Sequence, residues 1–333
     1  MSGERGLSKL AGMVLVAILA VAGVAYAVGG GHRPAAKNAV AAEPVDGTRQ
    51  AEAGPLALAK DDDDRPPAPA GAVCAAAGAA RPLGDEIHES SGVAVSRAHR
   101  GIFWTHNDSG DPVLYAVDEQ GRTAGRVRVA GASVEDWEDI ALAPCPGGGN
   151  CLFVADIGDN DARRASITVY RVPEPAPGAS ETAPATAIRL RYPDGTHDAE
   201  AMFVLNGAIH VVTKGESGPI ALYRAPANAT DATLEQVREL SAGKVEREER
   251  ITSADARADG RWIVLRTLAE ARFYRAGELA DGAAPAQRVD LRGLGEEQGE
   301  GIGFAPDGSV IVTSEGGKKD KPATFARLSC NLP

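Results

Sequence analysis

Much that would declare a function is missing from this 333-residue chain. Its six histidines, His32, His88, His99, His106, His197 and His210, fall at no zinc-ligand spacing. No G-x-S-x-G segment marks a nucleophile elbow. Formal net charge is −11 and the Lys and Arg residues form no basic run, which excludes a nucleic-acid partner held by its phosphates. No dozen consecutive residues keep a 3.6-residue apolar period, residues 231–240 coming nearest, so a helical fold is excluded too. Aromatic residues make up only 5%, whereas glycine reaches 39 and proline 21; that balance suits many short strands joined by turns.

What the chain has is repetition. The first copy reads SSGVAVS (90–96), GIFWTHND (101–108), VLYAVDE (113–119) and RVRVAG (126–131). These are a strand of small residues, a more apolar strand, a strand with an aromatic residue and a polar strand. Further copies begin at Trp137, Ala199, Ile251 and Gly299. Four-stranded units at a period of about 40 to 60 residues predict an all-β fold, a β-propeller of five four-stranded blades. The last copy has three strands, and residues 78–84 (GAARPLG), ahead of the first copy, are expected to supply its fourth.

Upstream of the repeats the composition changes twice. Arg5 and Lys9 precede an uncharged run over residues 10–28, so residues 1–28 read as a signal peptide or an N-terminal transmembrane anchor. Ala25-Tyr26-Ala27 offers a cleavage site, while the length of the run suits an anchor. Both readings export the rest of the chain, secreted or tethered to the cytoplasmic membrane by that segment alone. Residues 29–73 are rich in Ala and Pro, lack aromatics and carry Asp61, Asp62, Asp63 and Asp64, as a disordered linker does. The propeller domain then spans 74–333. Its four cysteines suit an oxidising compartment. Cys145 and Cys151 bracket a flexible Pro-Gly-Gly-Gly-Asn hairpin, and Cys74 and Cys330 sit outside the two ends of the repeats, where a ring needs a clasp.

Candidate chemistry gathers where inner strands begin. The five copies place Ser91, Glu138, Glu200, Thr252 and Glu300 at one equivalent position, an oxygen-rich ring about the axis. Glu89, Asp136, Asp139, His197 and Asp198 lie beside it. The exits of the second strands add Asp108, Asp156, Asp159, Asn160, Lys214, Glu216, Arg266 and Glu315. Two readings stay open. Such residues bond neighbouring blades and cap turns; equally, Glu138, Glu200, Glu300, Asp156 and Asp159 are the ligand types that calcium takes. Lys214 and Arg266, read as projecting from equivalent places in adjacent blades, would add two cations over an acidic channel. With a metal, that is a plan for phosphoester hydrolysis. His106, beside Asp108 and Ser109, is a third catalytic candidate.

The segments THNDSG (105–110), DWEDIA (136–141), ADIGDN (155–160), YRVPEP (170–175), HDAEAM (197–202) and ADGRWIVLRT (258–267) together resemble a set of exported actinobacterial propeller proteins. These are grouped with phytase-like and WD-repeat-like propellers, and the resemblance covers residues 85–329. It implies the propeller fold and an extracytoplasmic address. True phytases have six blades, and their full calcium and phosphate signature is not found here. The expectation is therefore a binding or scaffold module, with calcium as a structural ion and a protein or small-molecule partner at the rim. A metal-dependent phosphoesterase is the alternative.

Overall fold

The computed structural model describes residues 74–317 and 321–332. The expected leader or anchor and the whole of the expected linker, with its four aspartates, lie outside these residues. No helix among the described residues is long and apolar enough to cross a membrane.

Five sheets succeed one another along the chain, antiparallel except where Asp231–Thr233 adds a parallel fifth strand to the edge of the second. The first blade is Ser90–Val95, Ile102–Asn107, Val113–Asp118 and Thr123–Arg128. The second is Trp137–Pro144, Asn150–Asp156, Ile167–Pro173 and Thr186–Arg191. The third is Ala199–Leu205, Ala208–Thr213, Ala221–Pro226 and Glu235–Glu239. The fourth is Ile251–Ala256, Trp262–Thr267, Glu270–Arg275 and Gln287–Asp290. The fifth begins with Gln298–Phe304, Val310–Glu315 and Thr324–Cys330. Each first strand packs on the next blade's first strand, and the fifth packs on the first, so the ring is closed. This is the five-bladed propeller that the repeats predict.

Each seam between blades has its own apolar core. Trp104 and Leu114 meet Trp137 and Leu152 between blades 1 and 2, for example, and Phe103 meets Phe325 between blades 1 and 5. Outer strands expose more, as Gln287–Asp290 does, because only one of their faces has a neighbour to cover it.

The fourth strand of blade 5 comes from the amino end, with a correction to its bounds. It is split into Cys74–Ala76 and Arg81–Pro82, both antiparallel to Thr324–Cys330. Ala76 faces Leu328 and Arg81 faces Phe325, so two extra residues bulge out between the halves. Pro82 has no N–H to carry the ladder further. Cys74 and Cys330 face each other in register and are disulfide-bonded, as are Cys145 and Cys151. Both expected pairs are thus present, with no free thiol among the described residues.

At the axis a single carboxylate links four of the five blades. Asp139 Oδ1 accepts from Ile140 N at 2.9 Å and Ser253 Oγ at 3.0 Å, while Oδ2 accepts from Met202 N at 2.8 Å and Ala254 N at 3.0 Å. Ser253 Oγ in turn accepts from Ile302 N at 3.1 Å, which brings in blade 5. Blade 1 approaches through Gly92: a Cβ there would stand 2.5 Å from Ile140 N and 2.7 Å from Asp139 Cα. Burial pushes the Asp139 carboxyl well above the usual range, and its four donors pull the other way.

The Cys74–Cys330 bond closes a separation of 256 residues against 6 for Cys145–Cys151, which corresponds to about 5 and about 2 kcal/mol in the chain-entropy model. Scanning calorimetry of Cys74→Ser/Cys330→Ser should show a melting point lower by roughly 10–20 °C; an equal loss in Cys145→Ser/Cys151→Ser would refute the clasp. Asp139→Asn turns an amide toward donors that need an acceptor, so a loss of about 3 kcal/mol or more is expected in urea denaturation.

Candidate functional site

The inner strands are irregular at one shared place. Pairing with the second strand skips a position between Trp137 and Asp139, between Ala199 and Ala201, and between Ile251 and Ser253. In blades 1 and 5 it skips two, between Ser90 and Val93 and between Gly299 and Ile302. A bulge re-aims the side chain it releases from the ladder. The released residues include Ser91, Glu138, Glu200, Thr252 and Glu300, the five that the repeats align. Backbone geometry thus sets this ring at the rim.

The ring is acidic and largely out of solvent. Glu138, Glu200 and Glu300 are 8%, 7% and 4% exposed. Burial pushes Glu138 and Glu300 well above the usual carboxylate range, and the neighbouring carboxylates, Glu200 first, add to it. Burial raises Glu200 to about 7 against the opposing Lys214 ammonium, and raises Glu315 to about 7 with help from Glu89. Asp108 goes to about 7, through burial and then through Glu89 beside it. Asp136 is raised by burial and by Asp198. Asp136 and Glu138 also converge over Gly158: a Cβ at that glycine would lie 2.4 Å from Asp136 Oδ2 and 2.4 Å from Glu138 Oε1.

Lys214 is the cation inside this group. It pairs with Glu200, lies 3.6 Å from Glu216 and 3.7 Å from Asp198, and meets Asn160 Oδ1 at 3.5 Å. Burial alone would lower its pKa, but Glu200 and then Asp198 outweigh that and raise it.

Register separates Lys214 from Arg266, two residues that the repeats alone make look equivalent. Arg266 pairs with Ser253 inside its ladder, as Val212 pairs with Ala201, whereas Lys214 stands beyond the end of its strand. Arg266 is 0% exposed and donates to the carbonyls of Gly301 at 2.8 Å and Thr313 at 2.9 Å, with Glu296 as its ion pair. It ties blade 4 to blade 5 below the rim. His106 is likewise fully buried, edge-on to Trp137 at 5.5 Å, and burial holds its imidazole at about 4.

The five metal-ligand candidates also divide. Asp156 accepts from the backbone of Glu135 and Asp136 at 3.2 Å and pairs with Arg164 at 2.9 Å. Asp159 accepts from Arg163 N at 2.8 Å and Arg164 N at 2.7 Å. Both therefore fold the loop after the second strand of blade 2, while Glu138, Glu200 and Glu300 stay at the ring. Among the described residues, no three His, Cys, Asp or Glu side chains are gathered as ligands of one metal ion. Asp136 and Glu315 join the ring residues more closely than either loop aspartate does. A Trp-Glu-Asp run leaves open which of its adjacent acids a bulge will turn outward.

No family model matches the chain, and no curated protein is similar to it. Several solved structures share its outline. The PQQ-bound aldose sugar dehydrogenase of Streptomyces coelicolor is 10% identical with a TM-score of 0.48, over 78% of this chain and 98% of that one. The apo aldose sugar dehydrogenase of Escherichia coli is 11% identical with a TM-score of 0.48, over 76% and 99%. A gluconolactonase of Xanthomonas campestris is 14% identical with a TM-score of 0.44, over 77% and 92%. At this identity and TM-score nothing of what those proteins bind or do is transferred to this chain.

The raised carboxyls give the stability a pH signature. A carboxyl whose folded pKa lies above its unfolded value favours folding fully only below the unfolded value, and that stability is lost as pH rises through the folded pKa. For Glu200, Glu315, Asp108 and the buried Asp255, all at about 7, that loss builds up from an unfolded value of about 4 and is complete just above neutrality. His106 and His210, each held at about 4, act oppositely once pH drops below about 6.5. With divalent ions chelated, the melting point should therefore rise as pH falls from about 7.5 to 5.5, the four raised acids outweighing the two histidines, and Glu200→Gln should flatten that slope. A flat or inverted slope in the unsubstituted protein would show that the ring is not an excess of buried acid.

Proposed function

We propose that this chain is an exported binding module that takes a cationic ligand at the acidic rim of the propeller, a calcium ion being the simplest such ligand. One observation carries the reading: Asp136 and Glu138 close on the same point over Gly158, beside the raised carboxyls of Glu200 and Glu300. Raised carboxyls are charges held at a cost to folding, and a cation that binds only the folded state returns that stability by mass action. The fit to a hard cation is that of a two-carboxylate cradle, which further oxygen ligands would have to complete. Lys214 pairs directly with Glu200, while it reaches Asp136 and Glu138, and Arg164 reaches Asp136, only through space, which leaves their side for an incoming cation. The two disulfides suit the extracytoplasmic address.

Phosphoester hydrolysis finds less in the geometry. It asks for basic groups free to meet developing negative charge. Arg266 is buried against two carbonyls and Glu296, and Lys214 is held among carboxylates.

Calcium added to the chelated protein at pH 8 should raise its melting point by several degrees at millimolar concentration. Glu138→Gln should abolish most of that rise, and an aryl phosphate should not be turned over with or without the ion. No shift with calcium, or a shift that survives both Glu138→Gln and Asp136→Asn, would refute the rim as the site. Calcium-dependent hydrolysis lost in Lys214→Ala would establish the enzymatic reading instead.

A further inference from the structure

Where the inner strands end, away from the acidic rim, a cleft of about 700 Å³ opens between blades 5 and 1. That is the size of a small-molecule site. Its floor is apolar: Phe103, Ile311 and Phe325 line it, the two rings 5.2 Å apart. Its walls carry four arginines, Arg81, Arg97, Arg100 and Arg327, in a protein whose net charge is −11. So dense a set of one sign, against the overall balance, is the opposite of the rim.

The arginines are not alike in what they do. Arg327 is engaged with both acids of the cleft, Asp307 at 2.7 Å and Glu119 at 3.3 Å, and with Ser309 Oγ at 2.9 Å. Arg81 donates to the Glu119 carbonyl at 3.1 Å. Arg97 and Arg100 have no hydrogen-bond or ion-pair partner among the described residues; Arg97 reaches the buried Asp255 only through space. Both acids are thus engaged by Arg327, and the guanidinium groups of Arg97 and Arg100 have no direct partner among the described residues beside an aromatic floor.

The backbone that carries these two side chains is fixed. They sit on the turn between the first two strands of blade 1, which closes with Ser96 N donating to Ile102 O at 3.0 Å and Ile102 N to His99 O at 3.1 Å. Ser96 Oγ accepts from His99 N at 2.8 Å and donates to Glu174 Oε1 of blade 2 at 2.5 Å. A turn anchored at both ends presents its arginines at small ordering cost to a ligand.

We propose that this cleft is a binding site for a small organic anion, a carboxylate or phosphate borne on an aromatic body. Arg97 and Arg100 receive the acid group, and the ring lies over Phe103 and Phe325. Guanidinium forks pair with either acid group in two parallel hydrogen bonds, and the aromatic floor selects the body. The site is independent of the rim and of the cation proposed there.

Phenyl phosphate titrated into the full-length protein by calorimetry tests this. Binding with a dissociation constant below about 1 mM is expected. In Arg97→Gln/Arg100→Gln, with its melting point within about 2 °C of the parent, it should weaken by tenfold or more. Benzyl alcohol, the neutral counterpart, should bind at least tenfold more weakly than phenyl phosphate, and inorganic phosphate should too. Should the double variant fail to fold, Arg100→Gln alone, at an exposed position, should still weaken binding about threefold or more. Undetectable binding, binding unchanged by the substitutions, or equal binding of benzyl alcohol would each overturn the proposal. Glu138→Gln should leave phenyl phosphate binding as it was, and a loss there would place the anion at the rim instead.

Discussion

The ring depends on one buried carboxylate. Five inner strands break their ladders at the same height, and each break leaves backbone amides that no neighbouring strand can satisfy. Near the axis there is little room for anything but the strands themselves, as the approach of Gly92 to Asp139 shows. Asp139 resolves this by accepting from three blades directly and holding Ser253, which serves a fourth. A charge that deep is costly unless every lone pair is used, and here four donors use it. The same donors explain the choice of an acid: a neutral side chain would bring hydrogens to a place already full of them.

The bulge that strands those amides also turns Glu138, the residue just before Asp139, toward the rim. Site and scaffold are therefore one device. Two adjacent acids in Trp137–Pro144 meet opposite fates, the first held at the mouth with its pKa raised, the second knitted into the axis. The rim carboxylates detract from stability near neutral pH, and the apolar cores at five seams and the Cys74–Cys330 clasp offset them. Lys214 softens the cost without removing it, because it faces Glu200, Asp198 and Glu216 together. An imbalance of that kind, kept in a fold with ample other sources of stability, is what links the rim to a ligand of positive charge.

Sequence reading went furthest where repetition carried it. Strand order, blade number and the ring positions come from copies that align with one another, since each copy must bury the same faces, while the cysteine pairs follow from one hairpin and from the two ends of the repeats. It fell short where a single residue of register decides the outcome. Arg266 and Lys214 are both basic residues near the end of a second strand, yet two positions of ladder put one among carbonyls and the other among carboxylates. Asp156 and Asp159 are the residue types calcium takes and also the types that fold a tight loop; only the donors facing them distinguish the two. The arginine cleft was invisible for a further reason. Arg81, Arg97, Arg100 and Arg327 come from both ends of the domain, and only the closure of blade 5 on blade 1 brings them together.

Closure thus does more than remove two sheet edges. It sets an apolar, arginine-walled cleft at the end of the axis where the inner strands finish, while the bulges set carboxylates at the end where they begin. The net charge of −11 hides this division, because excess acid on the rest of the surface masks a local positive region. Screening at physiological salt confines each field to about 8 Å, so the two ends act separately on what approaches them. An anion near the rim meets carboxylates that outnumber the one lysine among them, and a cation near the cleft meets guanidinium groups. The two proposals together sort ligands of opposite sign to opposite ends of one ring, with no change of shape asked of either site.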